Sequence, residues 1–170
     1  MSGEPSVIAM LRSAIRCWAL AGGVILILLV LITAASAISN LVAGRPFTGE
    51  YELAKHLAAI VIFAFLPYCQ LAGANVTVDI FTEGMGAWAK SLMALVSSIF
   101  AALFALVLLR QMSLGLADYW RYGEVTPTLH LPLWTAFAPI LASLALLSAA
   151  SLITGADAWR GMRRPQSTAG

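Results

Sequence analysis

The sequence predicts an all-α integral membrane protein with four transmembrane helices. Three observations predict it. Four long apolar stretches, roughly 17–38, 57–74, 91–109 and 131–153, occupy a chain of 170 residues. Hydrophobic residues make up 61% and charged residues 11%, well below the roughly 25% charged of a soluble domain. The stretches are also continuous in Leu, Ile, Val, Ala and Phe, not alternating as in a barrel strand. Only helices or closed barrels satisfy the backbone in lipid. A bilayer core of about 30 Å takes about 20 helical residues, which each stretch meets or approaches. Residues 1–170 therefore form one membrane domain with little mass outside it.

Ahead of the first span, Val7, Leu11, Ile15 and Trp18 share one helical face, while Arg12, Ser13 and Arg16 lie on others. That pattern suits a short N-terminal amphipathic helix in the interface, or equally an extension of the first span. Ala35-Ser36-Ala37 resembles a signal-peptidase site. The apolar run before it exceeds the roughly 7–15 residues of a signal core, so it reads as a retained span. Gly22 and Gly23 permit close helix approach without forming a GxxxG.

Asn40, Gly44, Pro46, Thr48 and Gly49 mark a loop. The second span then opens with Glu50, Glu52, Lys55 and His56. Glu52, Lys55 and His56 are three and four residues apart and can share a face. Pro67 lies well inside this span and should kink it. Gln70 and Asn75 add polarity near its far end. The connection 73–84 is apolar enough to lie along the membrane, with Asn75 and Asp79 as candidates for fixing it. Asn75-Val76-Thr77 matches a glycosylation sequon, which matters only in a secretory lumen.

The third span carries two small-residue rows, Ala94–Ser98–Ala102 and Ser97–Ala101–Ala105, at a spacing that lets helices pack closely. Asp118, Tyr119, Trp120, Arg121 and Tyr122 follow, suited to the headgroup level. Pro127, His130, Pro132 and Trp134 announce the fourth span, and Pro139 should bend it. Ala138 with Ala142, and Ala145 with Ala149, are further small pairs. Arg160, Arg163 and Arg164 anchor the end, and 165–170 reads as a disordered tail.

Orientation follows from the basic residues. With the N-terminus inside, inner segments hold Arg12, Arg16, Lys90, Arg160, Arg163 and Arg164, against Arg45, Lys55, Arg110 and Arg121 outside. Both basic termini then stay cytoplasmic, and an even number of spans puts them on the same side, which agrees with both being basic.

Catalytic motifs are missing: no Walker A, HExxH, GxSxG or GxGxxG occurs, so the chain does not read as an enzyme or an ATP-driven motor. A net charge of +2 does not call for nucleic acid. Cys17 and Cys69 have no metal-type spacing, and no cofactor is expected. No carboxylate lies deep in a span, whereas an ion-coupled carrier needs such groups near the midplane. His56 and His130 sit near the ends of spans that run in the same direction, which keeps open a haem- or quinone-binding respiratory anchor. An autonomous small transporter is a third reading. Kinked spans and small-residue faces fit best an accessory subunit of a larger permease.

Three places resemble the small membrane subunit of tripartite ATP-independent periplasmic (TRAP) transporters, the DctQ-type family. They are Glu52 at the start of the second span, Gly73-Ala74-Asn75-Val76-Thr77-Val78-Asp79-Ile80-Phe81, and Thr126 to Pro139 with Leu131-Pro132-Leu133-Trp134. The resemblance covers nearly the whole chain. Where many members carry a basic residue and a histidine flanking the glycine region, this chain has Gln70 or Leu71, and Asn75. The resemblance implies a bacterial inner-membrane complex that imports organic acids such as dicarboxylates or sugar acids. A periplasmic binding protein captures the solute, and a large permease subunit moves it on a sodium or proton gradient. The small subunit stiffens the large one and can help dock the binding protein. Glu52, Lys55 and His56 are then candidate outer-edge contacts, to the large subunit or to the third and fourth spans. Arg45, Asp118, Arg121 and Glu124 are candidates for meeting the binding protein.

Overall fold

The computed structural model describes residues 6–73 and 87–163. They form four helices: α1 (Ser6–Ala43), α2 (Glu50–Leu71), α3 (Ala87–Tyr122) and α4 (Trp134–Arg163). Each is long and apolar enough to cross a membrane. The chain is thus a multi-pass all-α membrane protein. Helices α1 and α3, with 38 and 36 residues, are about 57 and 54 Å long and overrun a 30 Å core at their ends.

The amphipathic stretch 7–18 is not a separate interfacial helix. It is the first part of α1, which runs unbroken from Ser6. No proline interrupts it, and the part of its apolar face from Ile15 onward is used inside the protein, while Val7 stays exposed. Ile15 is fully buried, Ala19 nearly so, and Trp18 Nε1 donates to Ser143 Oγ on α4 at 2.9 Å.

Helix α4 is the hub. In its most apolar window 44% of residues are buried, against 11%, 17% and 11% for α1, α2 and α3. It packs antiparallel to α3 and parallel to α2, while α1 lies mainly on α2 and touches α4. Among the described residues, α3 packs against neither α1 nor α2. The four helices therefore do not close into a bundle, and a groove floored by α4 separates α2 from α3. The core joins Ala105, Ala136, Ile140, Leu144 and Leu147, with Phe63, Leu66 and Met112 packed against it.

The sequence of α4 explains its place. Ser143, Ser148, Ser151 and Thr154 return their hydroxyls to carbonyls one turn back, at 2.8–3.1 Å. A hydroxyl so engaged can be buried without a lost hydrogen bond. Small residues set the close crossings. A Cβ on Gly22 would stand 2.8 Å from Ala64 Cβ, so α1 and α2 approach there at a distance only glycine allows. Of the two rows on α3, the structure buries Ser98 from one and Ala105 from the other against α4, and leaves Ala94 exposed. Pro67 and Pro139 both lie inside continuous helices. Pro67 is fully buried, and Pro139 offers its carbonyl to Ser143 Oγ.

Candidate functional site

Polar side chains gather in three places, and the largest group is at the end formed by the 44–49 and 123–133 connections, here the loop end. Helix α2 begins there, after Gly49, whose φ of 81° puts it in the left-handed region. A Cβ at Gly49 would also meet Leu129 Cγ at 2.4 Å. Glycine is therefore required twice over, by backbone conformation and by the side chain seated on it.

Two carboxylates in the first turn of α2 reach in different directions. Glu50 accepts from the hydroxyl of Ser36, a fully buried residue of α1 that also accepts the Phe47 N–H at 3.0 Å. Glu52 reaches the α3–α4 connection instead. Its Oε2 accepts the Leu129 N–H at 2.9 Å, and the Thr128 N–H lies 3.0 and 3.2 Å from its two oxygens. An ionised carboxylate is an acceptor on both oxygens and matches these donors.

The connection is itself ordered. Thr126 N–H donates to Leu131 carbonyl at 2.9 Å, Leu131 N–H to Thr126 Oγ1 at 3.0 Å, and Val125 and Pro132 form an isolated antiparallel bridge. His130 takes φ 53°, an uncommon conformation outside glycine. Glu52 thus caps a preformed turn from below.

His56 lies one turn further along α2, with Nε2 3.0 Å from Thr135 Oγ1. The Thr135 hydroxyl donates to Pro132 carbonyl at 2.7 Å. A hydroxyl has one proton, so His56 Nε2 is the donor to it. That nitrogen is engaged, and His130 is exposed in the turn, so this geometry lends no support to a pair of axial ligands. Among the described residues no cluster of His, Cys, Asp and Glu could hold a metal ion. Lys55 places its Nζ 4.2 Å from the centre of the Tyr51 ring. These side chains stand over a groove of about 650 Å³ that continues down between Ala59, Phe63, Met112 and Ile140.

The second group is at the opposite, terminal end. Arg12 on α1 pairs with Asp157 on α4 at 2.7 Å, and Arg160 lies 3.5 Å from the same carboxylate. Arg163 stacks over Trp159. The third lies inside the protein, toward that end. Gln70 Nε2 on α2 and Ser98 Oγ on α3 each stand 3.0 Å from Thr154 Oγ1 on α4. The Thr154 proton is directed at its own helix, so its oxygen accepts from both. One hydroxyl ties three helices.

Of the residues singled out by sequence, Glu52, Lys55 and His56 come together. Arg121 is exposed in the last turn of α3. Asn75 and Asp79 lie outside the described residues, as does the tail. Sequence reasoning missed Ser36, Glu50 as a partner of α1, Asp157, and Thr154. Asp157 carried a usable signal, being the lone acidic residue among terminal arginines. Thr154 carried none, since nothing in a sequence says which hydroxyl meets two neighbours.

A family model described as tripartite ATP-independent periplasmic transporters, DctQ component, matches residues 10–163. No curated protein and no solved structure matches the chain.

Proposed function

We infer the function from one premise: the chain belongs to the DctQ family, a component of tripartite ATP-independent periplasmic transporters. It is a membrane component of a transporter. Beyond that, the chain acts as the small scaffold subunit, bound in the bacterial inner membrane to a large permease subunit and served by a periplasmic binding protein. The complex imports organic acids, such as dicarboxylates or sugar acids, on a sodium or proton gradient. The terminal end, with Arg12, Arg16, Arg160 and Arg163, faces the cytoplasm, in line with the positive-inside rule. The loop end faces the periplasm.

One observation carries this reading. The polar side chains inside the helical assembly are engaged with one another or, like Ser151, with a carbonyl of their own helix. Gln70 and Ser98 meet at Thr154, and Trp18 meets Ser143. None of these is ionisable, and the carboxylates that are described lie near helix ends or in connections. A coupled carrier needs free ionisable or carbonyl groups near the midplane, so the ion and solute path belongs to another subunit. What this chain offers is outward-facing apolar surface, with Leu20, Val24, Ile27 and Leu31 on α1 and Phe100, Leu103 and Val107 on α3 all more than half exposed. Such faces suit lipid and a larger membrane partner.

The test is a tagged pull-down from mildly solubilised native membranes, with mass spectrometry and an absorbance spectrum. The expected result is a colourless complex with one larger polytopic protein. A chain that emerges alone and transports solute after reconstitution would favour an autonomous carrier. A Soret band would favour the respiratory anchor.

A further inference from the structure

The groove at the loop end has the form of an amphiphile site. Its mouth is polar, with Glu52, Lys55, His56 and Thr126, and its depth is apolar, with Ala59, Phe63, Met112 and Ile140. The polar groups at the mouth are not equally available. Glu52 is engaged by the Thr128 and Leu129 amides, His56 by Thr135, and Thr126 by Leu131. Lys55 is not paired with the neighbouring carboxylate. It rests on the face of Tyr51, which leaves ammonium protons directed away from the ring. The free valence at the mouth is therefore a cation.

A second observation fixes the depth. Tyr51, Trp120 and Tyr122 are 73%, 64% and 71% exposed at this same end. Exposed amphipathic rings mark the level of the headgroups. The groove thus starts where phosphates lie and descends where acyl chains lie. Because α2 and α3 do not pack against each other, it is open sideways to the bilayer along its length. Its volume of about 650 Å³ is in the range of pockets that hold a small ligand, about 300–1,000 Å³.

We propose that this groove seats one phospholipid of the adjoining leaflet, its phosphate on Lys55 and an acyl chain between Phe63 on α2 and Met112 on α3. The lipid fills the gap between two helices that α4 alone holds together. The site stands apart from the subunit partnership above and does not require it.

Native mass spectrometry of the purified full chain tests this, with dioleoylphosphatidylglycerol and dioleoylglycerol as titrated probes after delipidation. Wild type is expected to retain one phosphatidylglycerol and to hold it in preference to diacylglycerol. Lys55→Met is expected to weaken phosphatidylglycerol about fivefold, the effect of one lysine at an anionic surface, and to leave diacylglycerol unchanged. Ala59→Trp, which fills the groove, is expected to lose both, with helicity by circular dichroism as its folding control. Arg121→Met, a basic residue at the same end outside the groove, is expected to behave as wild type. Equal loss in Arg121→Met and Lys55→Met would overturn the site, since the lipid would then be a general annulus. So would unchanged lipid in both groove variants, including the case where they instead lose a copurifying large subunit.

Discussion

Replacing Thr154 by Val removes one oxygen and almost no volume, and three helices should loosen. The Thr154 hydroxyl accepts from Gln70 and Ser98, each at 3.0 Å. Gln70 is 8% and Ser98 4% exposed, so water does not readily replace the lost acceptor. Interhelical hydrogen bonds in membrane proteins average about 0.6 kcal/mol each, with an upper value near 1.7. Two such bonds make a loss of about 1.2 kcal/mol, or roughly eightfold in the folding constant. Valine keeps the branched shape, so the packing contribution stays nearly constant. The assay is reversible unfolding in mixed micelles of dodecylmaltoside and SDS, followed by far-ultraviolet circular dichroism. A cycle with Ser98→Ala isolates one bond and should return a coupling of about 0.6 kcal/mol. If Thr154→Val cost the same in the Ser98→Ala background as in wild type, the bridge would carry no coupling and the three-helix tie would be refuted.

Other outcomes follow from the same geometry. Glu52→Ala should speed hydrogen exchange at the Thr128 and Leu129 amides while leaving those of α4 beyond Ile140 unchanged; equal exchange in both proteins would show that the turn holds itself. If the loop end also fastens the transport complex, the same variant should lower uptake at equal membrane abundance. Gly22→Val should separate α1 from α2 and lower the unfolding midpoint, whereas Gly23→Ala should not, because a Cβ there meets nothing within 4 Å. Gly49→Ala should cost about 1–2 kcal/mol from left-handed backbone strain alone, and Leu129→Ala in the same chain should relieve only the added clash. Asp157→Asn should weaken the Arg12 tie by no more than about 1 kcal/mol, as expected for a part-exposed ion pair, read as fraying of the first turns of α1 by exchange.

The four helices and their membrane character were legible because apolar length is a local property. The break between α1 and α2 was legible in Gly44, Pro46 and Gly49, and the turn before α4 in Pro127 and Pro132. The clustering of Glu52, Lys55 and His56 was legible from their spacing, since residues three and four apart share a face. The partners of that face were not. Whether Glu52 met another subunit or its own chain depended on a turn 76 residues away. The continuity of α1 was open for a similar reason. An amphipathic stretch of that kind serves a membrane surface or a protein surface alike, and the buried Ile15 and the Arg12–Asp157 pair decided for protein.

The sequence by itself determined the solvent in which this protein folds. Four runs of apolar side chains cannot be hydrated cheaply, and their backbones must be satisfied as helices in lipid. It also supplied the family, through short motifs near the span ends. Only the tertiary structure decided which helix stands at the centre, that the others leave a groove between α2 and α3, and which polar groups answer one another. In lipid every apolar face is equally at home, so hydrophobicity does not choose among helix pairings. That choice falls to small residues such as Gly22 and to single hydroxyls such as Thr154, whose effect exists only once two helices have met.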